Sequence, residues 1–382
     1  MKMSRLVFVT AVLAACDSPT PTELVHPAGG LNASRSGKAQ MGQLFSLSNS
    51  PTGNAVLAFD RADDGSLSAA GSYPTGGTGT GGGLGNQGAL ALDRSGRILV
   101  AVNAGSDEIS SFLVQEDGSL KLASTVPSGG TRPVSVAIHG RLVYALNAGG
   151  SGNITGFQVS RDGELNVLDG STRPLSSDAA GPAQVEFDQR GRVLIVTEKA
   201  TNRISTYGIA SDGLASGPTV IASQGATPFG FAVTSSNVLI VSEAFGGAAD
   251  ASAASSYRIG ADGSLSVISG SVATTETAAC WFVVTRNDRF AYTSNTGSGS
   301  ITGYLVKQGA LSLLDADGRT GVTGQGTSPI DLVLSPDSRF LYSLNAGNET
   351  ISRFAVNTDG SLSSRGADIA NLPDGATGLA TR

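Results

Sequence analysis

The sequence predicts an all-β chain, a seven-bladed β-propeller of four-stranded blades whose ring is closed by the N- and C-terminal strands. Three observations carry this expectation. An Asp-Gly-Ser-Leu-like turn recurs seven times, its glycine at positions 65, 118, 163, 213, 263, 309 and 360. Each turn is flanked by runs of alternating or continuous apolar residues, and no long segment has helical periodicity. Four such runs fall in each interval of 45 to 53 residues, the sequence signature of a propeller blade.

The elements follow in order within a repeat. The first strand is an apolar run such as Val134-Ser135-Val136-Ala137-Ile138 or Ile330-Asp331-Leu332-Val333-Leu334. The second ends in a Tyr-x-x-Asn motif: Tyr144 to Asn147, Tyr292 to Asn295 and Tyr342 to Asn345, with Val100 to Asn103 a looser copy. Two copies end in Glu198 and Glu243 instead. The recurrent asparagines suit turn hydrogen bonds, since one pocket would not need one per blade. The third strand alternates, as in Ile154-Thr155-Gly156-Phe157-Gln158-Val159, and leads into the Asp-Gly turn. There glycine supplies the positive φ that a tight hairpin requires. A short fourth strand follows. The ends complement one another: the chain enters the propeller near Gln43 at a second strand, and 376–380 supplies the missing first strand. Closure of this kind leaves no open sheet edge between the termini. The propeller is therefore assigned to residues 43–382. The glycine-rich stretch 76–85 is read as a flexible loop between the first two blades.

Composition narrows the chemistry. Charged residues are only 15%, and 25 Lys and Arg stand against 31 Asp and Glu, a poor electrostatic match for nucleic acid. The chain has only two cysteines and two histidines, and a three- or four-ligand zinc site of His and Cys is not expected to assemble from them after processing of the N-terminus. No metal or cofactor is expected. Cys280 reads as a small buried residue with no histidine nearby to activate it, and His139 falls in a tight turn at the end away from the expected site.

Residues 1–15 combine Lys2 and Arg5 with the apolar run Leu6 to Leu13 and small residues, the pattern of a secretory signal. Leu13-Ala14-Ala15-Cys16 resembles the lipobox of bacterial lipoproteins, which implies a lipid on Cys16, a membrane anchor and a place in the cell envelope. Residues 16–42 then read as a polar tether.

The Tyr-x-x-Asn and Asp-Gly-Ser-Leu repeats resemble the seven-bladed lactonase family, which includes 6-phosphogluconolactonases and carboxymuconate cyclases. The resemblance implies an active site at the channel mouth where the innermost strands begin. The family's histidine after proline is Val134 here, and its Arg-His pair is Ala183-Gln184. Its glutamate is retained as Glu198, which makes Glu198 the expected catalytic base. Arg132, Gln184, Glu243, Trp281 and Asp331 are the expected substrate-binding residues at the same mouth: carboxylates for hydroxyl groups, an indole face for a ring. Two readings follow. One is an exported lactonase-like enzyme that hydrolyses a sugar or organic-acid lactone. The other is a non-catalytic envelope lipoprotein that binds a small ligand or a protein partner.

Overall fold

The structure, a computed structural model, describes residues 42–382. The expected signal, the lipid-bearing Cys16 and nearly all of the tether lie outside the described residues. The chain forms seven antiparallel sheets in a ring, with one turn of 3-10 helix, Phe245–Gly247, as the only helix among the described residues. Blade 1 is composite. Its innermost strand is Thr377–Thr381, followed outward by Gly42–Leu47, Ala55–Arg61 and Leu67–Pro74. Arg382 and Gln43 seal the joint by exchanging backbone N–H···O bonds of 2.9 and 3.0 Å. Blade 4 shows the regular form: Pro182–Phe187, Val193–Glu198, Arg203–Ile209 and Ala215–Ala222. In blades 3 and 6 the outermost strand is split into two short pieces.

Burial explains the sequence pattern. The second strands of blades 4 to 7 are buried along their whole length, because neighbouring blades cover both faces. Those of blades 4 and 5 therefore open on continuous apolar runs, whereas outermost strands such as Leu67–Pro74 are mixed.

The two recurrent motifs meet across blade boundaries. The Tyr144 hydroxyl donates to the Gly213 carbonyl of the next blade's turn at 2.8 Å, Tyr292 to Gly360 at 2.8 Å and Tyr342 to Gly65 at 2.6 Å. Gln43, Ser111 and Thr206 make the equivalent bond to Gly118, Gly163 and Gly263. The repeat is thus largely a repeat of the interface between blades. The asparagines cap turns inside their own blades: Asn295 Nδ2 donates to Ser300 and Thr302, and Asn345 Nδ2 to Thr350 and Ser352.

Blade 2 departs from the pattern. Its innermost strand, Leu90–Leu92, has three residues where the other complete ones have five to seven. The chain before it, 84–88, leaves the blade and crosses the channel. Asn86 Nδ2 donates to the Val134 carbonyl of blade 3, and Gln87 N donates to Ala183 O of blade 4. The Gln87 carboxamide pairs with both backbone groups of Phe282 in blade 6, at 2.9 and 3.0 Å. Trp281 donates to the Asn86 carbonyl at 2.7 Å, and the Lys199 ammonium to that of Gly85. Gly230 makes room for this crossing, since a Cβ there would overlap the Gln87 carboxamide and the Cys280 carbonyl.

The segment leading into the crossing corrects the expectation of a flexible loop. Gly79 N and Gly81 N donate to Ser50 O and Asn49 O, and Thr80 N donates to Asn49 Oδ1. A Cβ on Gly79 would overlap the Asn49 backbone. The glycines serve close approach of two chain segments.

Candidate active site

The channel has two ends, and the structure fills the one that the sequence points to. Where the innermost strands begin, segment 84–88 occupies the axis. Trp281 is fully buried there, its ring 5.0 Å from Phe229, and anchors that segment. Cys280 beside it is also buried.

Glu198 ends the second strand of blade 4 and has no exposed surface. Its carboxylate accepts from Ser176 N at 3.0 Å, Ser205 Oγ at 2.7 Å, Thr201 Oγ1 at 3.0 Å and the Ser176 hydroxyl. Glu243 is equally buried and accepts from Gly225 N at 2.7 Å, Ser255 Oγ at 2.5 Å and Ser271 Oγ at 2.8 Å. Both order a turn at the place that asparagine takes in other blades, as acceptors where the asparagine amide donates, and neither presents an oxygen to solvent. This corrects the expectation of a catalytic Glu198 and a substrate-binding Glu243: the ordering of their turns consumes the carboxylates. A Glu198→Gln variant should therefore retain its activity while losing about 1–3 kcal/mol of stability through weakened charge-assisted bonds, as a thermal melt and a rate measurement would read.

The remaining expected residues are also redirected. Asp331, 3% exposed, accepts from the N–H groups of Leu332 and of Leu379 in the adjoining blade. Burial drives its carboxyl well above the usual range, against those two N–H groups, which favour the anion. It latches blade 7 to blade 1. Arg132 is exposed at the rim with φ 51°, its backbone N–H held by Asp107, and does not line the cavity described next. Of the expected set, only Gln184 does.

A cavity of about 440 Å³ lies beneath the crossing segment, at the end where the innermost strands finish. Its ceiling is two carboxamide pairs: Gln87 with Phe282, and Gln184 with both backbone groups of Phe231 at 2.7 and 3.1 Å. Each of these carboxamides retains an N–H and a lone pair. The wall carries the ionisable groups Arg94, His139, Glu186 and Asp188.

Their environments differ. Glu186 is half-buried in the innermost strand of blade 4, and one oxygen accepts from Phe187 N at 2.8 Å. Burial lifts its carboxyl to about 7, against the Phe187 N–H and the charge of Arg94. Burial, then Arg94, push the His139 imidazole below its usual range, with Asp188 opposing. A lowered value leaves that ring neutral at neutral pH. It lies 5.7 Å from the Phe187 ring. Asp188 is committed to its turn, accepting from Arg192 N at 2.6 Å and Val193 N at 3.0 Å. Glu186 is thus a carboxylate with an uncommitted oxygen, facing an open polar chamber and titrating near neutrality, the profile of a general base. Sequence reasoning passed over it because it occupies one position in one apolar run, with no counterpart in other blades to mark it.

Comparison with known proteins agrees with this architecture. Residues 50–173 match the family described as Lactonase, 7-bladed beta-propeller. No curated protein matches the sequence. Among solved structures, a putative 6-phosphogluconolactonase from Bacteroides uniformis is similar at 18% identity and TM-score 0.66, covering 88% of this chain and 98% of its own. A protein from Lactobacillus plantarum gives 19% and 0.71, covering 90% of this chain and 100% of its own. The periplasmic gluconolactonase of Pseudomonas aeruginosa gives 16% and 0.67, covering 88% of this chain and 99% of its own. At these identities the structural likeness establishes the fold.

Proposed function

We propose that this lactonase-like seven-bladed propeller opens the ring of a small lactone with water, in the chamber below segment 84–88. The observation that carries the reading is Glu186, whose carboxyl sits near pH 7 on the wall of a sizeable polar cavity. Ionised Glu186 takes a proton from a water as its oxygen attacks the lactone carbonyl carbon. The carbonyl electron pair moves onto oxygen and then returns, expelling the ring alkoxide. That alkoxide recovers the proton from Glu186 and leaves as a hydroxyl. The product is a hydroxy acid, which ionises and releases one proton to solvent. The neutral His139 ring and the spare carboxamide groups of Gln87 and Gln184 suit hydroxyl groups on the substrate. Proton release from glucono-1,5-lactone, γ-butyrolactone and dihydrocoumarin by the purified chain tests the reading. Rates above spontaneous hydrolysis support it, and a folded sample with none overturns it.

In the same proposal the chain works outside the cytoplasm, exported by residues 1–15 and anchored through Cys16. The run Leu13-Ala14-Ala15-Cys16 supports this. Cys16→Ser in the full chain should then move the protein from the membrane to the soluble fraction on cell fractionation.

A further inference from the structure

The turns that join first to second strands surround the open end of the chamber. In blades 2 and 4 to 7 they contain four or five residues, but blade 3 turns through Gly140 and Arg141 alone. This leaves a gap in the rim over His139. Arg94, from the blade 2 turn, spans the gap and bonds to the blade 4 turn: its Nη2 donates to Gln189 Oε1 at 2.8 Å and to Gln189 O at 3.2 Å. Gln189 is fixed in turn, donating from Nε2 to Val233 O at 2.9 Å and from its backbone N to Asn237 Oδ1 at 3.0 Å. Arg94 is the only arginine or lysine lining the chamber among the described residues. Only its Nη2 is engaged, so Nε and Nη1 keep three N–H donors for a ligand. Its charge is felt at both Glu186 and His139, and it lines the same chamber as the group assigned as base.

We infer that Arg94 is a second catalytic residue, the one that receives the negative charge developed on the lactone carbonyl oxygen as water adds. The inference rests on the hydrolytic reading above. The arrangement supplies what that reaction needs in addition to the base. The guanidinium is permanently charged and pre-positioned by a braced glutamine. It is also near enough to Glu186 to depress its pKa and keep more of it ionised. As the carbonyl π pair moves to oxygen, Nε and Nη1 donate to the oxyanion. As the pair returns and the C–O ring bond breaks, the charge passes to the alkoxide, which Glu186 protonates. No further reactant is required. Because the interaction strengthens with the charge, it acts on kcat more than on KM.

The test is steady-state kinetics on the same three lactones across pH 5 to 9, for the wild type, Arg94→Gln, Arg94→Lys and the exposed Arg289→Gln, which lies outside the chamber. Thermal melts verify that each variant folds. Arg94→Gln should lower kcat by about 10²–10³-fold with KM within a few-fold, and Arg94→Lys should restore part of the loss. The acid limb of the profile should also move to higher pH in Arg94→Gln, because Glu186 loses a neighbouring positive charge. Arg289→Gln should match the wild type. A folded Arg94→Gln with unchanged kcat, an unmoved acid limb or a loss confined to KM overturns the inference and leaves the hydrolytic reading standing. A wild type inert on all three lactones overturns both.

Discussion

Glu186→Gln should abolish lactone hydrolysis, lowering kcat by about 10²–10⁴-fold while the fold is retained. The substitution keeps the shape of the side chain, and its amide oxygen can still accept from Phe187 N as the carboxylate does. What it removes is a carboxylate on the chamber wall that is both uncommitted and poised near neutrality. The pH dependence follows with a definite sign. Burial raises the Glu186 carboxyl from 4.5 to about 7, so the base form gains population, and kcat/KM rises, as pH passes through 7. Stability moves the other way. Between about 4.5 and about 7 the folded state holds a proton at Glu186 that the unfolded chain has released. Folding is therefore favoured at the acid side of that window and loses this contribution as pH rises through it. Melting curves should show Glu186→Gln flattening this trend, and kinetics should show the matching loss of turnover.

The second large effect concerns the ring. Removing 376–382 takes away the innermost strand of blade 1, and with it the backbone exchange between Arg382 and Gln43. It also removes the Leu379 N–H that Asp331 accepts, leaving a buried carboxyl short of a partner. Leu379 is 8% exposed, and its burial alone contributes about 1.5–3 kcal/mol. A typical domain has only about 5–15 kcal/mol to lose. The truncation further exposes the unpaired edge of Gly42–Leu47 to intermolecular pairing. The truncated chain should show no cooperative melt and should elute as aggregate on size exclusion. A monomer with a melting temperature close to that of the full chain would mean that the remaining six and three-quarter blades hold the ring without their closing strand.

Much of the fold was legible because its determinants repeat. The Asp-Gly turns and the Tyr-x-x-Asn motifs recur since most of the turn glycine carbonyls receive a bond from the preceding blade, as Tyr342 gives to Gly65. The closure by 376–380 was legible because one strand was missing at one end and present at the other. The site was hidden for the same reason. Glu198 and Glu243 stood out because they break a pattern of asparagines, yet both still order a turn, accepting from its hydroxyl and N–H groups where the asparagine amides donate. Glu186, Arg94 and His139 lie in no repeat and have no motif around them. What could have pointed to that end is the short turn of blade 3 and the length of the segment before Ala89. That segment leaves its blade, and the physical consequence is a closed channel at the strand-starting end. A linear pattern of apolar residues does not report which end of a channel is filled, because that depends on contacts such as Gln87 with Phe282, 195 positions apart.

The central claim is the location of the site, and a crystal structure of Glu186→Gln soaked with glucono-1,5-lactone tests it most directly. Density for the lactone or its hydroxy acid between residue 186 and Arg94, with 84–88 unmoved, is the result that this account predicts. Density beside Trp281 and Glu198, with 84–88 displaced from the channel, would contradict it.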